Sequence, residues 1–203
     1  MAKWYGFGRC KTRLSRDIGK TNSAKVQHMM TNHTISVAKS LQKINYVDIC
    51  MAISGLGDNN CRRWSKELGI KYFNLQGEGC LGEKMKRQII TNKKFCHINR
   101  IKNIIFIGTD LPDLCHLDLL NTIKELKQND LILWPSNDGG YWLIGLSEKI
   151  ISKHLYLPFI NIKWSTENVL QNTIDNFASI ELKYKLLDKK IDIDTISDIE
   201  NRT

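Results

Sequence analysis

The run Ile104-Ile105-Phe106-Ile107-Gly108-Thr109-Asp110-Leu111-Pro112 constrains this chain more than any other segment. An apolar, β-branched stretch ends abruptly in Gly, Thr, Asp and Pro. Strands covered on both faces read as continuous apolar runs, and open α/β sheets bind ligands beyond the carboxyl ends of their strands. The run predicts a buried strand that carries Asp110 to a sheet rim, with Pro112 ending the ladder. The competing role for Asp110 is the N-cap of the next helix, a position Asp favours.

Around this run, helical and extended patterns alternate. Val26, Met29, Met30, Val37, Leu41 and Ile44 repeat at helical spacing over Thr21 to Ile44, with Asn22 and Ser23 as N-cap candidates. Strands are expected at Val47 to Ser54, Ile70 to Gln76, Asp130 to Trp134, Tyr141 to Leu146 and Glu181 to Leu187. Helices are expected at Cys61 to Leu68 (ended by Gly69), Glu83 to Phe95, His116 to Leu126, Ser165 to Phe177 and Thr195 to Arg202. Strands separated by helices indicate βαβ units and a mostly parallel sheet. No repeat, low-complexity tract or linker interrupts residues 1–203, which read as a single α/β domain. Only Met1 to Trp4 precede the Gly6-Phe7-Gly8 turn. The first strand is therefore either truncated, as by a start codon assigned too late, or a short strand using Ala2 to Trp4.

The net charge of +9 is carried by lysines spread along the chain, without an Arg-rich block or basic tail. This argues against a dedicated nucleic-acid surface and favours phosphorylated or acidic small substrates through long-range steering. The six cysteines (Cys10, Cys50, Cys61, Cys80, Cys96 and Cys115) form no C-x-x-C pair and no zinc-spaced cluster. Scattered thiols and the lack of a signal peptide point to the cytoplasm. No apolar run approaches the roughly 20 residues that cross a bilayer, so no membrane partner is expected.

Three clusters carry candidate chemistry. Gly6-Phe7-Gly8-Arg9-Cys10-Lys11-Thr12-Arg13-Leu14 suits a phosphate loop, with glycines for close backbone approach and Lys11 and Arg13 as cations, although it lacks P-loop spacing. Asn137-Asp138-Gly139-Gly140-Tyr141 gives a tight turn with room for a ligand, or equally a hairpin, since Asp-Gly is a strong hairpin signal. Asp192 and Asp194 alternate on one side of an extended segment. Either could join Asp110 around a divalent ion, and the alternative for Asp194 is the N-cap of the last helix. Trp164-Ser165-Thr166 precedes a helix that Ser165 could cap. Gln76-Gly77-Glu78-Gly79-Cys80-Leu81-Gly82 is glycine-rich enough to wrap a nucleotide or acceptor.

Taken in order, these segments resemble the small bacterial GT-A-type glycosyltransferases associated with arsenosugar biosynthesis, formerly a domain of unknown function. That family is similar in turn to phospholactate guanylyltransferases and nucleotide-diphospho-sugar transferases. The matching positions are Gly8, Lys11 to Leu14; Gln76, Gly79, Leu81, Gly82, Met85; Ile107, Gly108, Asp110, Pro112; Asp138 to Tyr141; Trp164 to Thr166; and Asp192, Asp194, Thr195, Asp198. The chain departs from the pattern at Cys80 (Asp in the family), Lys84 (Arg), Trp134 (Gly) and Ile199 (Leu).

The resemblance implies a Rossmann-like, three-layer GT-A domain and metal-assisted transfer of a sugar from a nucleotide sugar to a small acceptor. It implies Mg²⁺ or Mn²⁺ on Asp110 and Asp194, with Asp192 as a substitute. It places Gly8, Lys11, Thr12, Arg13, Gly139, Gly140 and Trp164 at the donor, and Asp110 and Asp138 in catalysis. Nothing in these residues recognises arsenic. Two other readings remain open: nucleotidyl transfer from an NTP to a phosphorylated small molecule, and a non-catalytic nucleotide-binding homologue, which Cys80 and the short N-terminus motivate.

Overall fold

The structure, a computed structural model, describes residues 1–44, 47–95, 102–178, 180 and 182–200. Cys96, Glu181 and Arg202, which figure in the expectations above, lie outside them. Its contacts define two compact units: Met1–Leu75 with Gly108–Leu119 and Ile191–Thr203, and Gln76–Ile107 with Leu120–Lys190.

The first unit holds a parallel sheet in the order β1 (Ala2–Lys3), β2 (Cys50–Ser54), β3 (Tyr72–Leu75). Ala2 and Lys3 pair with Ile53 and Ser54, so the first strand is a two-residue element. Helix α1 (Leu14–Ile44) begins earlier than the apolar repeat predicts, because a turn from Leu14 precedes a break at Gly19 (φ 80°, ψ 160°). The expected caps do not act as caps: Asn22 donates to the Ile18 carbonyl and Ser23 to that of Lys20. Met29, counted with the apolar stripe, is 67% exposed.

Helix α2 (Asp58–Glu67) buries Cys61, Trp64 and Ser65, and packs Cys61 and Trp64 against Met51 and Ile53 of β2. It ends as the sequence predicts, with Gly69 at φ +61°. The amides of Leu68, Gly69 and Ile70 donate to the carbonyls of Trp64, Lys66 and Ser65, which satisfies the orphan acceptors of the last turn. A second cluster joins Leu14, Met30 and Ile193. It ties α1 to the segment before α7 (Ile196–Glu200).

The second unit holds a four-stranded sheet in the order β4 (Asn103–Ile107), β6 (Tyr141–Ser147), β5 (Leu131–Pro135), β7 (Tyr184–Leu186). β6 runs antiparallel to both β4 and β5, while β5 and β7 are parallel. Among the described residues three of the five strand pairings are parallel, as expected of a mostly parallel α/β fold. β5 and β6 are the covered strands. The Ile104 run is only partly buried, because β4 is an edge strand of its sheet.

Helix α3 (Leu81–Phe95) belongs to this unit, and α4 (His116–Glu125) runs from the first unit into it. The unit also contains a short helix without a clear apolar repeat, α5 (Glu148–Lys153), capped by Ser147 Oγ accepting from Ile150 N at 3.5 Å. Helix α6 (Val169–Ala178) starts four residues later than expected. Ser165 sits at φ +65° in the preceding turn and cannot cap it. Among the described residues no helix is long and apolar enough to cross a membrane, and Cys10, Cys50, Cys61, Cys80 and Cys115 are free thiols.

Candidate active site

The chain leaves β4 at Ile107, and Asp110 stands three residues on. The segment is braced by Gln27 on α1, a buried amide that no motif in the sequence marks. Its Nε2 donates to Thr109 Oγ1 at 3.2 Å and to Thr31 Oγ1 at 3.3 Å. The peptide of Ile193 donates to the Asp110 carbonyl at 3.0 Å, which sets the Asp192-Ile193-Asp194 segment alongside Asp110.

Lys11 joins them. Its backbone is left-handed (φ +47°), and the side chain is only 3% exposed. The Nζ lies 2.5 Å from Asp110 Oδ1 and 3.1 Å from Asp194 Oδ1, and also donates to the Ile193 carbonyl. Both carboxylates remain about half exposed, at 42% and 45%. Arg13 approaches Asp194 Oδ2 at 3.9 Å with an exposed side chain. Burial alone would depress the Lys11 ammonium, but the Asp110 and Asp194 carboxylates outweigh it and hold its pKa above the usual lysine value.

Neither Asp110 nor Asp194 caps the helix that follows it, because the N-cap positions fall at Cys115 and Thr195. At α4, Asp118 in the third helical position accepts from Cys115 N at 2.8 Å. At α7, Asp198 in the same position accepts from Asp194 N at 2.9 Å, Thr195 N at 2.7 Å and Thr195 Oγ1 at 2.8 Å. Each helix start is already closed by the acidic half of a capping box. Asp110 and Asp194 lie before these N-caps, and their side chains meet Lys11 instead. Burial would raise the Asp198 carboxyl, but these donors and Lys11 hold it below the ordinary Asp value. Asp192 lies beside this site and has partners of its own.

The same device recurs at α3, where Glu83 accepts from Cys80 N at 2.8 Å. Cys80, exposed and at the N-cap, supplies no side-chain acceptor in return. Cys80→Asp is expected to complete the cap and stabilise the chain by about 1 kcal/mol, read as a rise in melting temperature. An unchanged melt would show that the carboxylate found there in the resembling family serves something other than capping.

In the second unit the remaining motif residues pack closely together. An added Cβ on Gly82 would lie 2.6 Å from Trp164 Cζ2, so the indole needs a glycine beneath it. Gly139, at φ +81°, passes directly against the backbone of Glu167, and its carbonyl accepts from Leu170 N at 2.9 Å. Asp138 closes the β5–β6 hairpin: its Oδ1 accepts from Gly140 N at 2.9 Å and from Ser136 Oγ. Arg87, outside the motifs read from the sequence, donates to the carbonyls of Gln76 and of Glu78 (3.0 Å) and shapes the glycine-rich loop. A lone arginine inside a helix carries no sequence signature. Gly8 (φ +68°) turns the loop before Lys11, and the Thr12 carbonyl accepts from Ser15 Oγ at 2.9 Å.

Comparison with known proteins fits this architecture. A crystal structure from Desulfovibrio desulfuricans G20, provisionally described as a nucleotide-diphospho-sugar transferase, superposes over 98% of this chain and 81% of its own, with TM-score 0.79 and 25% identity. A 4-diphosphocytidyl-2C-methyl-D-erythritol synthase from Anaerococcus prevotii covers 85% of this chain and 86% of its own (TM-score 0.54, 13% identity). The glucosyl-3-phosphoglycerate synthase of Mycobacterium tuberculosis covers 80% and 66% (TM-score 0.55, 12% identity) and was solved with Mn²⁺, UDP and glucosyl-3-phosphoglycerate. The fold is thus that of the nucleotide-diphospho-sugar transferases.

By sequence, the 2-phospho-L-lactate guanylyltransferase of Methanobrevibacter smithii is 26% identical over 134 residues, 66% of this chain. The match spans about half of that relative, 54% of its length. The family model described as "Uncharacterized protein conserved in bacteria (DUF2064)" matches residues 37–166, and the chain belongs to that family.

Proposed function

We propose that this protein is a metal-assisted glycosyltransferase that moves a sugar from a nucleotide sugar to a small acceptor, with residues 1–203 acting as one catalytic domain. The observation that carries the reading is the convergence of two half-exposed carboxylates, Asp110 and Asp194, on one buried ammonium. Neither carboxylate stands at a helix N-cap, since α4 begins after Cys115 and α7 after Thr195.

This donor set suits a Mg²⁺ or Mn²⁺ ion. Among the described residues no group of three metal-ligating side chains forms, and such an ion typically takes one or two carboxylates with phosphate oxygens and water completing the shell. Asp110 and Asp194 would hold it. When bound, it supplies positive charge against the diphosphate as the glycosidic bond breaks. Lys11 fixes the two carboxylates in place and balances them before substrate arrives, and Arg13, exposed at the edge, is free to reach the diphosphate.

Gly8 and Thr12 are assigned to the donor phosphates, Gly139, Gly140 and Trp164 to the rest of the donor, and Asp138 to the sugar or acceptor as a base. The tight packing of Gly139 and Trp164 supplies an independent structural reason for those two residues. The reaction is assigned to the cytoplasm, where the free thiols would persist. The acceptor is assigned to arsenosugar chemistry, on the resemblance alone.

The guanylyltransferase relative favours a second reading, attack of a phosphorylated small molecule on the α-phosphate of an NTP. Products separate the two. Incubation with UDP- or GDP-sugars and Mn²⁺ is expected to release free nucleoside diphosphate, more so with an arsenic-bearing acceptor. Release of pyrophosphate from an NTP in the presence of a phosphorylated small molecule, with no nucleoside diphosphate from nucleotide sugars, would overturn glycosyl transfer in favour of nucleotidyl transfer. Saturable nucleotide binding with neither product would identify a binding protein.

A further inference from the structure

Within the first unit, a cavity of about 370 Å³ lies between the end of α2 and the start of β3. It is lined by Arg62, Ser65, Lys66, Gly69, Ile70, Lys71 and Phe73, so three of its seven walls are cationic and none is acidic. Because β1, β2 and β3 are parallel, residues 69–72 lie at the amino ends of the strands, whereas the loop carrying Lys11 leaves the carboxyl end of β1. We propose that this cavity is a second binding site, for a small oxyanion of the phosphate class, separate from the Asp110–Lys11–Asp194 cluster.

Two observations argue that the cations are there for a ligand. Cations at a helix C-terminus ordinarily satisfy its last carbonyls and its dipole. Here that work is already done, by the backbone amides of residues 68–70 and by Lys39, whose Nζ donates to the Leu68 carbonyl at 2.6 Å. Lys66 and Lys71 form no ion pair among the described residues. Lys71 lies over the Tyr72 ring at 4.8 Å. Arg62 is braced by Asp58 at 3.7 Å and by the Phe73 ring at 5.5 Å, which orients its guanidinium without burying it.

The second observation is in the wall itself. Ser65 is 1% exposed, and its hydroxyl has no hydrogen-bond partner among the described residues. Leaving a buried hydroxyl unpaired is destabilising. A bound oxyanion would accept from it while meeting the guanidinium and two ammonium groups, in the geometry that suits Arg and Lys to phosphate.

The probe is inorganic phosphate, titrated into the full chain by calorimetry at moderate ionic strength, with backbone amide shifts followed in parallel. Saturable binding is expected, with shifts centred on residues 62–73. Lys66→Gln with Lys71→Gln should weaken it at least tenfold. Ser65→Ala should weaken it severalfold without adding bulk to the core. Arg13→Gln, which alters only the other cluster, should leave it unchanged. Far-UV dichroism and the melt establish that each variant is folded. If the double variant unfolds, Ser65→Ala and the location of the shifts decide. Non-saturable binding, shifts confined to residues 8–14 and 110, or equal affinity in folded Lys66→Gln/Lys71→Gln would each overturn the proposal, whichever transfer reaction the protein performs.

Discussion

Asp110→Asn is expected to lower Mn²⁺-dependent release of nucleoside diphosphate from a nucleotide sugar by at least a hundredfold, or about 3 kcal/mol at the transition state. The chain should stay folded, because Lys11 keeps Asp194 at 3.1 Å and the Ile193 carbonyl as partners. Loss of one charged hydrogen bond there should cost about 1–3 kcal/mol of stability. Replacing both carboxylates is a different matter. The ammonium is 3% exposed, and leaving it buried without a counter-charge should cost about 3–5 kcal/mol, as when one partner of a buried pair is removed.

The pH dependence has a definite sign. The folded pKa of Lys11 is raised, so the stability it contributes is fully present below its unfolded value near ~10.4 and is lost only as pH rises through the folded one. A melt difference between wild type and Asp110→Asn that is level through neutral pH fits this. Unchanged turnover in the folded single variant would remove Asp110 from the chemistry and leave it a partner of Lys11 alone.

What could be read from the residues, and what could not, divides along physical lines. Long periodic segments and the strand leading to Gly108-Thr109-Asp110 were legible from period and composition, although that strand lies at a sheet edge and is only partly buried. Whether Asp110 and Asp194 act at a site or cap helices was not settled by their own identity, since Asp is good at both. The deciding information lay three positions into each helix. Cys115-His116-Leu117-Asp118 and Thr195-Ile196-Ser197-Asp198 have the spacing at which a carboxylate reaches back to the N-cap amide.

Boundaries slipped where a single backbone dihedral intervened. Gly19 divides α1, and Ser165 at φ +65° delays α6. The hairpin reading of Asp138-Gly139 was among the alternatives, and the structure adopts it. Which backbone segment presses on Gly139 was invisible, because Glu167 is distant in the chain. Trp164 over Gly82 was hidden for the same reason, although both sit in motifs noticed separately.

Gly139→Ala should produce the largest loss of stability of any single methyl added to these motifs. The new Cβ would stand 2.6 Å from the carbonyl carbon of Glu167 and nearer still to its oxygen, both backbone atoms that no rotamer change can move aside. It would also force an L-residue to hold φ +81°. Overpacking costs ~1–3 kcal/mol and a non-glycine residue held at positive φ ~1–3 kcal/mol more, so a loss of about 2–6 kcal/mol is expected. The clash also strains the Gly139 carbonyl that accepts from Leu170 N at the start of α6. Gly140→Ala is the control one residue along. Its φ is not positive, and its Cβ would meet only the side chains of Asp138 at 3.1 Å and Ser136 at 3.4 Å. It should therefore cost under about 1.5 kcal/mol, within reach of side-chain adjustment. Denaturant melts of the two variants give the comparison. Equal, small losses would mean that the hairpin relaxes away from α6 freely, and the need for glycine at 139 would then have to come from a bound ligand instead.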